Sequence, residues 1–386
     1  MNKQKLSTVL ICFLMNMLDG MDVMVISYAA PNIARDWTIS SKALGVVFSA
    51  GLLGMTLGAL FLAPRADRIG RKSMILICNL LMGVAVFGTA FSSNIEMLTF
   101  FRVFSGIGIG GMLASTATLT SESAPKESKD FWVSFVMAGY PIGAVLSGLT
   151  AAYVIPSFGW PIIFEIAGVC SFVTLPIVYF FLQESRDFME RSPEKTSTVK
   201  GILKPELRSK TLMLWLAIFM AFATLYFLTT WIPNLAAATG LSVELAIYAG
   251  TVFNLGAFIG IVSQGYFSGK FGLQKTIFSY LLLTTVFMLI FGYFKGSFVI
   301  LLLFGLIGFG IQGGFVGMYS LAAKLYPTEI RATGVGWAIG AGRFGAIVGP
   351  LIGGFLIAAG LSMATNFALF AIPTIIAGVA TLLIKK

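Results

Sequence analysis

The chain has 386 residues, 57% of them hydrophobic and 11% charged, against roughly 45–50% and about 25% in a soluble domain. That excess excludes a water-soluble globule, and apolar runs this long and continuous exclude a transmembrane barrel of short alternating strands. A formal charge of +10 raises the question of a nucleic-acid partner, which the placement of Lys and Arg answers. There is no histidine, so the usual neutral-pH proton carrier and most catalytic and metal sites are gone. Any proton chemistry falls to carboxylates. Cys12, Cys78 and Cys170 each lie inside an apolar run, at no metal or redox spacing, and read as small buried hydrophobes.

A bilayer crossing needs about 20 apolar residues. Charged and Pro/Gly punctuation predicts twelve spans, roughly 6–30, 43–63, 73–92, 96–119, 131–155, 162–182, 210–232, 243–267, 273–294, 297–320, 329–358 and 361–384. Lys3 and Lys5 ahead of an apolar run imitate a signal peptide. Asp19 and Asp22 interrupt that run and no small-residue cleavage site follows, so it is expected to stay as the first span. With the N-terminus inside, 21 of the 26 Lys and Arg fall in cytoplasmic segments. Only Arg35, Lys42 and Lys295 fall outside, and Arg102 and Arg343 within spans. This is the positive-inside pattern. It predicts an inner-membrane, multi-pass protein with both termini cytoplasmic, and it explains the basic excess without nucleic acid. The 43 glycines suit membrane helices that pack backbone to backbone.

The one long polar stretch, 183–209, divides the spans six and six. A shift of 202 positions aligns Ser40 with Ser242, Gly54 with Gly256, Gly58 with Gly260, Gly70 with Gly272, Pro125 with Pro327, Glu127 with Glu329 and Gly143 with Gly345. The expected fold is an all-α membrane protein: twelve transmembrane helices in two pseudo-symmetric six-helix bundles, residues 1–182 and 210–386, joined by a cytoplasmic linker, 183–209. Parallel repeats of this kind place a substrate site between the bundles near mid-membrane.

Between spans 2 and 3 the chain reads Gly58 to Lys72 with Asp67-Arg68-Ile-Gly70-Arg71-Lys72. Gly70 fits a tight turn between two helices, and Asp67 can pair with Arg71 or face a helix N-terminus, latching one conformation. The second-half copy keeps Gly272 but has Gly269 where the aspartate would be, so any latch is asymmetric. Span 4 carries Arg102 and the close-packing pair Gly106 and Gly110, and span 5 carries Gly139-Tyr140-Pro141-Ile-Gly143, which reads as packing or as a loose antiporter-type motif.

Asp19 and Asp22 sit in the middle of span 1, where a charge costs at least about 2.5 kcal/mol on insertion scales. At i and i+3 they share a face with Asn16. Two carboxylates this close in low dielectric cannot both ionise cheaply, so one can hold a proton at neutral pH. The structural alternative is pairing with Arg102. In span 11, Arg343 aligns with Pro141 under the offset, so it is not inherited from the repeat. A permanent guanidinium there requires an anion, either one of the two aspartates or a substrate carboxylate. Tyr28, Tyr140, Phe315, Tyr319 and Trp337 lie on nearby spans and could wall a ring site.

The Gly58–Lys72 loop and the Arg102–Gly111 run resemble signatures of the major facilitator superfamily. The Asp19-Gly-x-Asp22 pair with Tyr28-Ala-Ala-Pro31, Trp231-Ile-Pro233 and the Tyr326–Arg343 segment resemble its aromatic acid:proton symporters. The resemblance spans the whole chain and implies import of benzoate-like, hydroxybenzoate-like, phenylpropionate-like or muconate-like anions with a proton. It implies Asp19 and Asp22 as the coupling pair, Arg102 and Arg343 as intramembrane cations, and Glu122 as the functional carboxylate ending span 4, alongside the Asp67, Arg68, Gly70 and Arg71 latch. One departure is Gly269-Lys270, where that family has an acidic residue.

The expected function is a secondary active transporter that takes up a small, aromatic carboxylate together with protons. The expectation includes monomeric assembly in membrane lipid, no cofactor, no metal and no enzymatic site. The alternatives within the fold are a sugar or metabolite:proton symporter and a multidrug:proton antiporter.

Overall fold

The computed structural model describes residues 3–125, 129–184, 202–238, 240–294, 296–327 and 330–384, and of Lys3, Asp67, Lys129, Asp130, Phe131, Ser134, Arg331, Ala332 and Thr333 only the backbone. Among the described residues, twelve helices are long and apolar enough to cross a membrane. They are α1 Lys3–Asp36, α2 Ser41–Leu57, α3 Arg71–Thr89, α4 Ile95–Ser123, α5 Gly139–Phe158, α6 Pro161–Phe181, α7 Pro205–Ala238, α8 Val243–Phe271, α9 Leu273–Ile290, α10 Ser297–Leu325, α11 Arg331–Ala358 and α12 Met363–Leu383. A helix over Lys129–Met137 leads into α5. The chain forms two compact units, Met1–Pro193 and Glu194–Lys386.

Several helices outrun the apolar segments that mark them, since backbone hydrogen bonding continues where hydropathy stops. α7 starts at Pro205 rather than near 210, with proline at a first-turn position where a missing N–H costs nothing. Side-chain oxygens of Ser40, Asn94, Ser242 and Ser362 cap α2, α4, α8 and α12. α2 does not run on unbroken to the loop. It widens into a π turn over Gly58–Leu62 and then a 3-10 turn over Ala63–Arg65, because Pro64 has no N–H to donate and its ring crowds the preceding turn. Gly70 has φ 96° and Gly272 φ 89°. Both are in the left-handed region that glycine enters without penalty, which is why the turn before α3 and the turn before α9 each keep it.

Within each unit the packing follows one scheme. In the first, α1 packs on α5, α2 on α4, and α3 on α4 and α6; in the second, α7 packs on α11, α8 on α10, and α9 on α10 and α12. The 202-residue offset extends to single contacts. A Cβ on Gly54 would strike the Val103 carbonyl and one on Gly256 the Gly305 carbonyl. Gly58 and Gly260 oppose Ile107 and Phe309, Gly106 and Gly308 oppose Gly51 and Phe253, and Gly143 and Gly345 oppose Met17 and Phe219. Each pair is the same contact shifted by the repeat. With lipid as solvent, helices associate by such backbone approach, not by hiding apolar surface. Accordingly large side chains such as Tyr153, Phe180 and Phe298 are left exposed.

Candidate functional site

The core of the first unit holds a buried ionic network. Asp19 and Asp22 are 1% and 2% exposed and Arg102 is 3% exposed. The Arg102 guanidinium donates from Nη1 to Asp22 Oδ1 at 3.1 Å and to the Asp22 carbonyl at 3.4 Å, and from Nη2 to Thr89 Oγ1 at 3.4 Å. Its carbon lies 5.5 Å from the Phe164 ring centroid, a cation–π distance. Four helices, α1, α3, α4 and α6, therefore converge on one guanidinium. Asn16, on the aspartate face of α1, donates to the Cys12 carbonyl at 3.1 Å and to Thr116 Oγ1 at 3.4 Å. Gly20, between the aspartates, lies against the Tyr140 carbonyl, and Gly139 and Gly143 lie against the α1 backbone at Phe13 and Met17. The span 5 glycines thus seat α1 and fix the direction of its acidic face.

A second polar cluster ties the ends of α3, α4 and α6. Arg71 is 1% exposed, with Nη2 3.4 Å from Glu122 Oε1 and Nη1 donating to the Ala66 carbonyl at 3.3 Å. Glu184, just past α6, accepts the Arg71 and Lys72 backbone N–H groups at 2.9 and 3.1 Å, one on each oxygen. A carboxylate thereby caps the positive end of α3. The Lys72 ammonium lies 5.5 Å from the Tyr179 ring centroid, and Arg68 is exposed. At the corresponding corner of the second unit Gln274, the offset partner of Lys72, donates to the Thr381 and Ile384 carbonyls.

Among the described residues the second unit has no counterpart of this ion pair. The offset places Phe304 where Arg102 would be, Phe291 for Thr89 and Thr224 for Asp22. Phe291 and Phe304 pack at 5.0 Å and Phe291 and Phe367 at 4.8 Å. Thr224 donates to the Phe370 carbonyl at 3.2 Å and accepts from Thr374 at 3.1 Å. Nearer α11, aromatic side chains of α7 and α10 pack together, with Arg343 as a charged neighbour of one of them. Phe222 meets Phe315 edge-on at 4.6 Å and stacks with Tyr226 at 5.8 Å, and Phe315 meets Tyr319 edge-on at 5.1 Å. Arg343 and Tyr226 are both electrostatic neighbours of the Tyr319 hydroxyl, and Gly342 lies under the Phe222 ring. One guanidinium with several rings is an arrangement that can take an aromatic anion, with the charge on the guanidinium and the ring on the rings. Among the described residues no three His, Cys, Asp or Glu side chains gather to hold a metal.

The sequence model of the Major Facilitator Superfamily matches residues 12–265 and 214–386. The chain belongs to this superfamily. Superfamily relatives at about one-third identity cover nearly all of it. The 4-hydroxybenzoate transporter PcaK of Pseudomonas aeruginosa is 34% identical over 97% of this chain and 91% of its own. The 3-(3-hydroxy-phenyl)propionate transporter of Escherichia coli is 32% identical over 98% and 94%, and the gallate transporter of Pseudomonas putida 30% over 96% and 90%. Among solved structures, a D-xylose-proton symporter superposes with TM-score 0.80 at 18% identity over 99% of this chain and 97% of its own. A bacterial homologue of the human lysosomal transporter Spinster gives 0.79 at 17% over 100% and 97%. These two likenesses establish the superfamily fold. Like its relatives the protein is a multi-pass membrane transporter and not an enzyme.

Within this superfamily framework the residues singled out from sequence separate into groups. Asp22 and Arg102 are brought together as an ion pair, with Asp19 buried beside them. Arg71 and Glu122 meet at the α3–α4 corner, while the expectation for Asp67 and the Glu127–Glu329 match lie outside the described residues. Arg343, Tyr319 and Phe315 cluster. Tyr28 is 0% exposed and donates to the Ala144 carbonyl at 3.1 Å, so its ring is packed between α1 and α5. Trp337 stacks on Trp215 at 5.9 Å, six residues before Arg343 and so about 9 Å away along α11. Sequence reasoning missed Glu184, Thr89, Phe164, Phe222 and Tyr226. Only the α7 pair carried a signal, two aromatics at i and i+4 on the helix that the repeat matches to α1.

Proposed function

We propose that the protein takes up an aromatic carboxylate together with protons by alternating access. The observation that carries this reading is the Phe222, Tyr226, Phe315 and Tyr319 ring cluster of the second unit with Arg343 as the charged neighbour of Tyr319. A guanidinium offers a carboxylate two parallel hydrogen bonds, and edge-on rings leave faces and edges for another ring to pack on. The named substrates of the relatives, 4-hydroxybenzoate, gallate and 3-(3-hydroxyphenyl)propionate, are all of this chemistry. Arg102 donates to Asp22 and serves to hold that carboxylate; the substrate anion goes to Arg343, beside the ring cluster.

Proton coupling belongs to Asp19 and Asp22. Two carboxylates one helical turn apart in a buried setting repel, and one shared proton removes the repulsion. Taking that proton loosens the hold of Arg102 on Asp22, which frees α1 and α4 to shift when the substrate's charge is also neutralised. Arg71, Glu122 and Glu184 hold the ends of α3, α4 and α6 in one conformation and release them in the other. The Lys- and Arg-rich ends face the cytoplasm, both chain ends lie there, the membrane is the inner membrane, and the working form is a monomer.

The test is uptake into liposomes holding the purified protein, with benzoate, hydroxybenzoates and phenylpropionates offered with and without an inward proton gradient. Gradient-driven accumulation is expected, with Asp19→Asn and Asp22→Asn retaining exchange of labelled substrate but not accumulation. Accumulation by either variant overturns the coupling assignment. Silence of the wild type across the panel overturns the substrate class.

A further inference from the structure

We propose that Gln312 is a specificity-determining residue that reads a ring hydroxyl para to the substrate's carboxylate; this rests on the aromatic-acid reading above. Gln312 lies on α10 and is 7% exposed, and among the described residues it makes no hydrogen bond. A primary amide has two N–H donors and a carbonyl acceptor, and the Gln312 amide is not among the sealed polar atoms of the described residues, so a bound molecule can reach it. Its hydrogen-bonding capacity is open to a polar group of a bound substrate.

Its position says what that partner is. Gln312, Phe315 and Tyr319 are at i, i+3 and i+7, on one face of α10. Phe315 touches both Tyr319 and Phe222, and Tyr319 has Arg343 as its electrostatic neighbour. Along about 10 Å of helix the face therefore runs from a guanidinium with phenols, through a ring-on-ring layer, to an amide. An arene with a carboxylate at one end and a hydroxyl at the other has the same order. The carboxylate meets Arg343, the ring lies in the Phe315 layer, and the para hydroxyl exchanges hydrogen bonds with the Gln312 amide, donating to its oxygen or accepting from its nitrogen. A meta hydroxyl is directed off this line and a bare benzoate leaves the amide unmet.

The repeat shows that the fold does not call for this amide. Gln312 aligns with Gly110, which is bare and pressed against the Met55 carbonyl. The first unit completes the equivalent helix crossing with no side chain at all, whereas the second carries a long polar one.

The experiment measures equilibrium binding of benzoate, 3-hydroxybenzoate and 4-hydroxybenzoate to the purified full chain and to Gln312→Leu, with thermal midpoints recorded for both. Wild type is expected to prefer 4-hydroxybenzoate over benzoate by about tenfold, the worth of one well-placed buried hydrogen bond. In Q312L that preference should vanish, with benzoate affinity within about twofold of wild type because the apolar layer and Arg343 are untouched. If Q312L is not recovered folded, Gln312→Met, of similar length and without the amide, carries the same comparison. Binding of these acids by wild type with no para preference, or a preference that survives in Q312L, overturns this inference alone. Failure of wild type to bind any of the three overturns the aromatic-acid reading, and the inference with it.

Discussion

The Asp22–Arg102 pair makes a quantitative prediction about stability, because the second unit shows the same bundle built without it. Arg102→Leu leaves the Asp22 carboxylate in a site where its side chain is 3% exposed, without the guanidinium that donates to it. Breaking a buried pair from one side costs about 3–5 kcal/mol, which for a domain of this size lowers the thermal midpoint by roughly 10 °C. Replacing both partners removes the stranded charge. Arg102→Leu with Asp22→Thr copies the apolar residue and threonine that the repeat places at Phe304 and Thr224, and it is expected to recover most of the loss. The assay is a thermal-unfolding cycle of wild type, the two single variants and the double variant in detergent. A double variant as unstable as R102L refutes the reasoning, since the cost would then lie in lost packing of the arginine and not in an uncompensated carboxylate. A double variant that is stable yet fails to accumulate substrate would show that the pair is kept for transport.

Glu184→Gln should weaken the α3 cap by about 1 kcal/mol, because the amide keeps one acceptor but loses the charge at a helix N-terminus; faster hydrogen exchange at Arg71 and Lys72 checks it. Gly20→Ala should prevent the α1–α5 contact at the Tyr140 carbonyl and lower the yield of folded protein sharply. Gly265→Ala, where nothing lies within 4 Å, should be neutral or stabilising by up to about 1 kcal/mol, both read by fluorescence-detected size exclusion. Arg343→Ala should weaken aromatic-acid binding by about 10- to 150-fold, the range for a hydrogen-bonded charge. Unchanged affinity in a folded variant would make that arginine structural.

Much of this was legible in the sequence because membrane helices obey few rules. The spans follow from apolar length, and the constant offset follows from glycines that must recur wherever one backbone presses on another. Gly70 and Gly272 were readable for a similar local reason, a turn that other residues resist. What stayed hidden depends on where side chains point. Tyr28 and Phe315 are both aromatics in spans, yet one hydroxyl ends on a carbonyl of α5 while the other ring joins a cluster with Phe222 and Tyr319. Glu184 sat at the edge of a charged linker with no sign that its carboxylate caps a helix over a hundred residues earlier. The boundaries of α2 were blurred by Pro64, whose effect is spread over two non-standard turns.

At the crossing of the first and fifth helices Gly20 faces the Tyr140 backbone in the first unit, and Gly342 faces the Phe222 ring in the second. The offset makes these the same two positions with the bare residue exchanged. A substitution path from one arrangement to the other cannot begin by adding a ring, since a side chain at 20 meets a backbone carbonyl and one at 342 meets the phenylalanine already there. Removing the ring at 140 would leave that carbonyl in place, so the two halves differ in how closely the backbones approach as well as in which position is bare, and neither solution can be reached from the other by side-chain exchange alone.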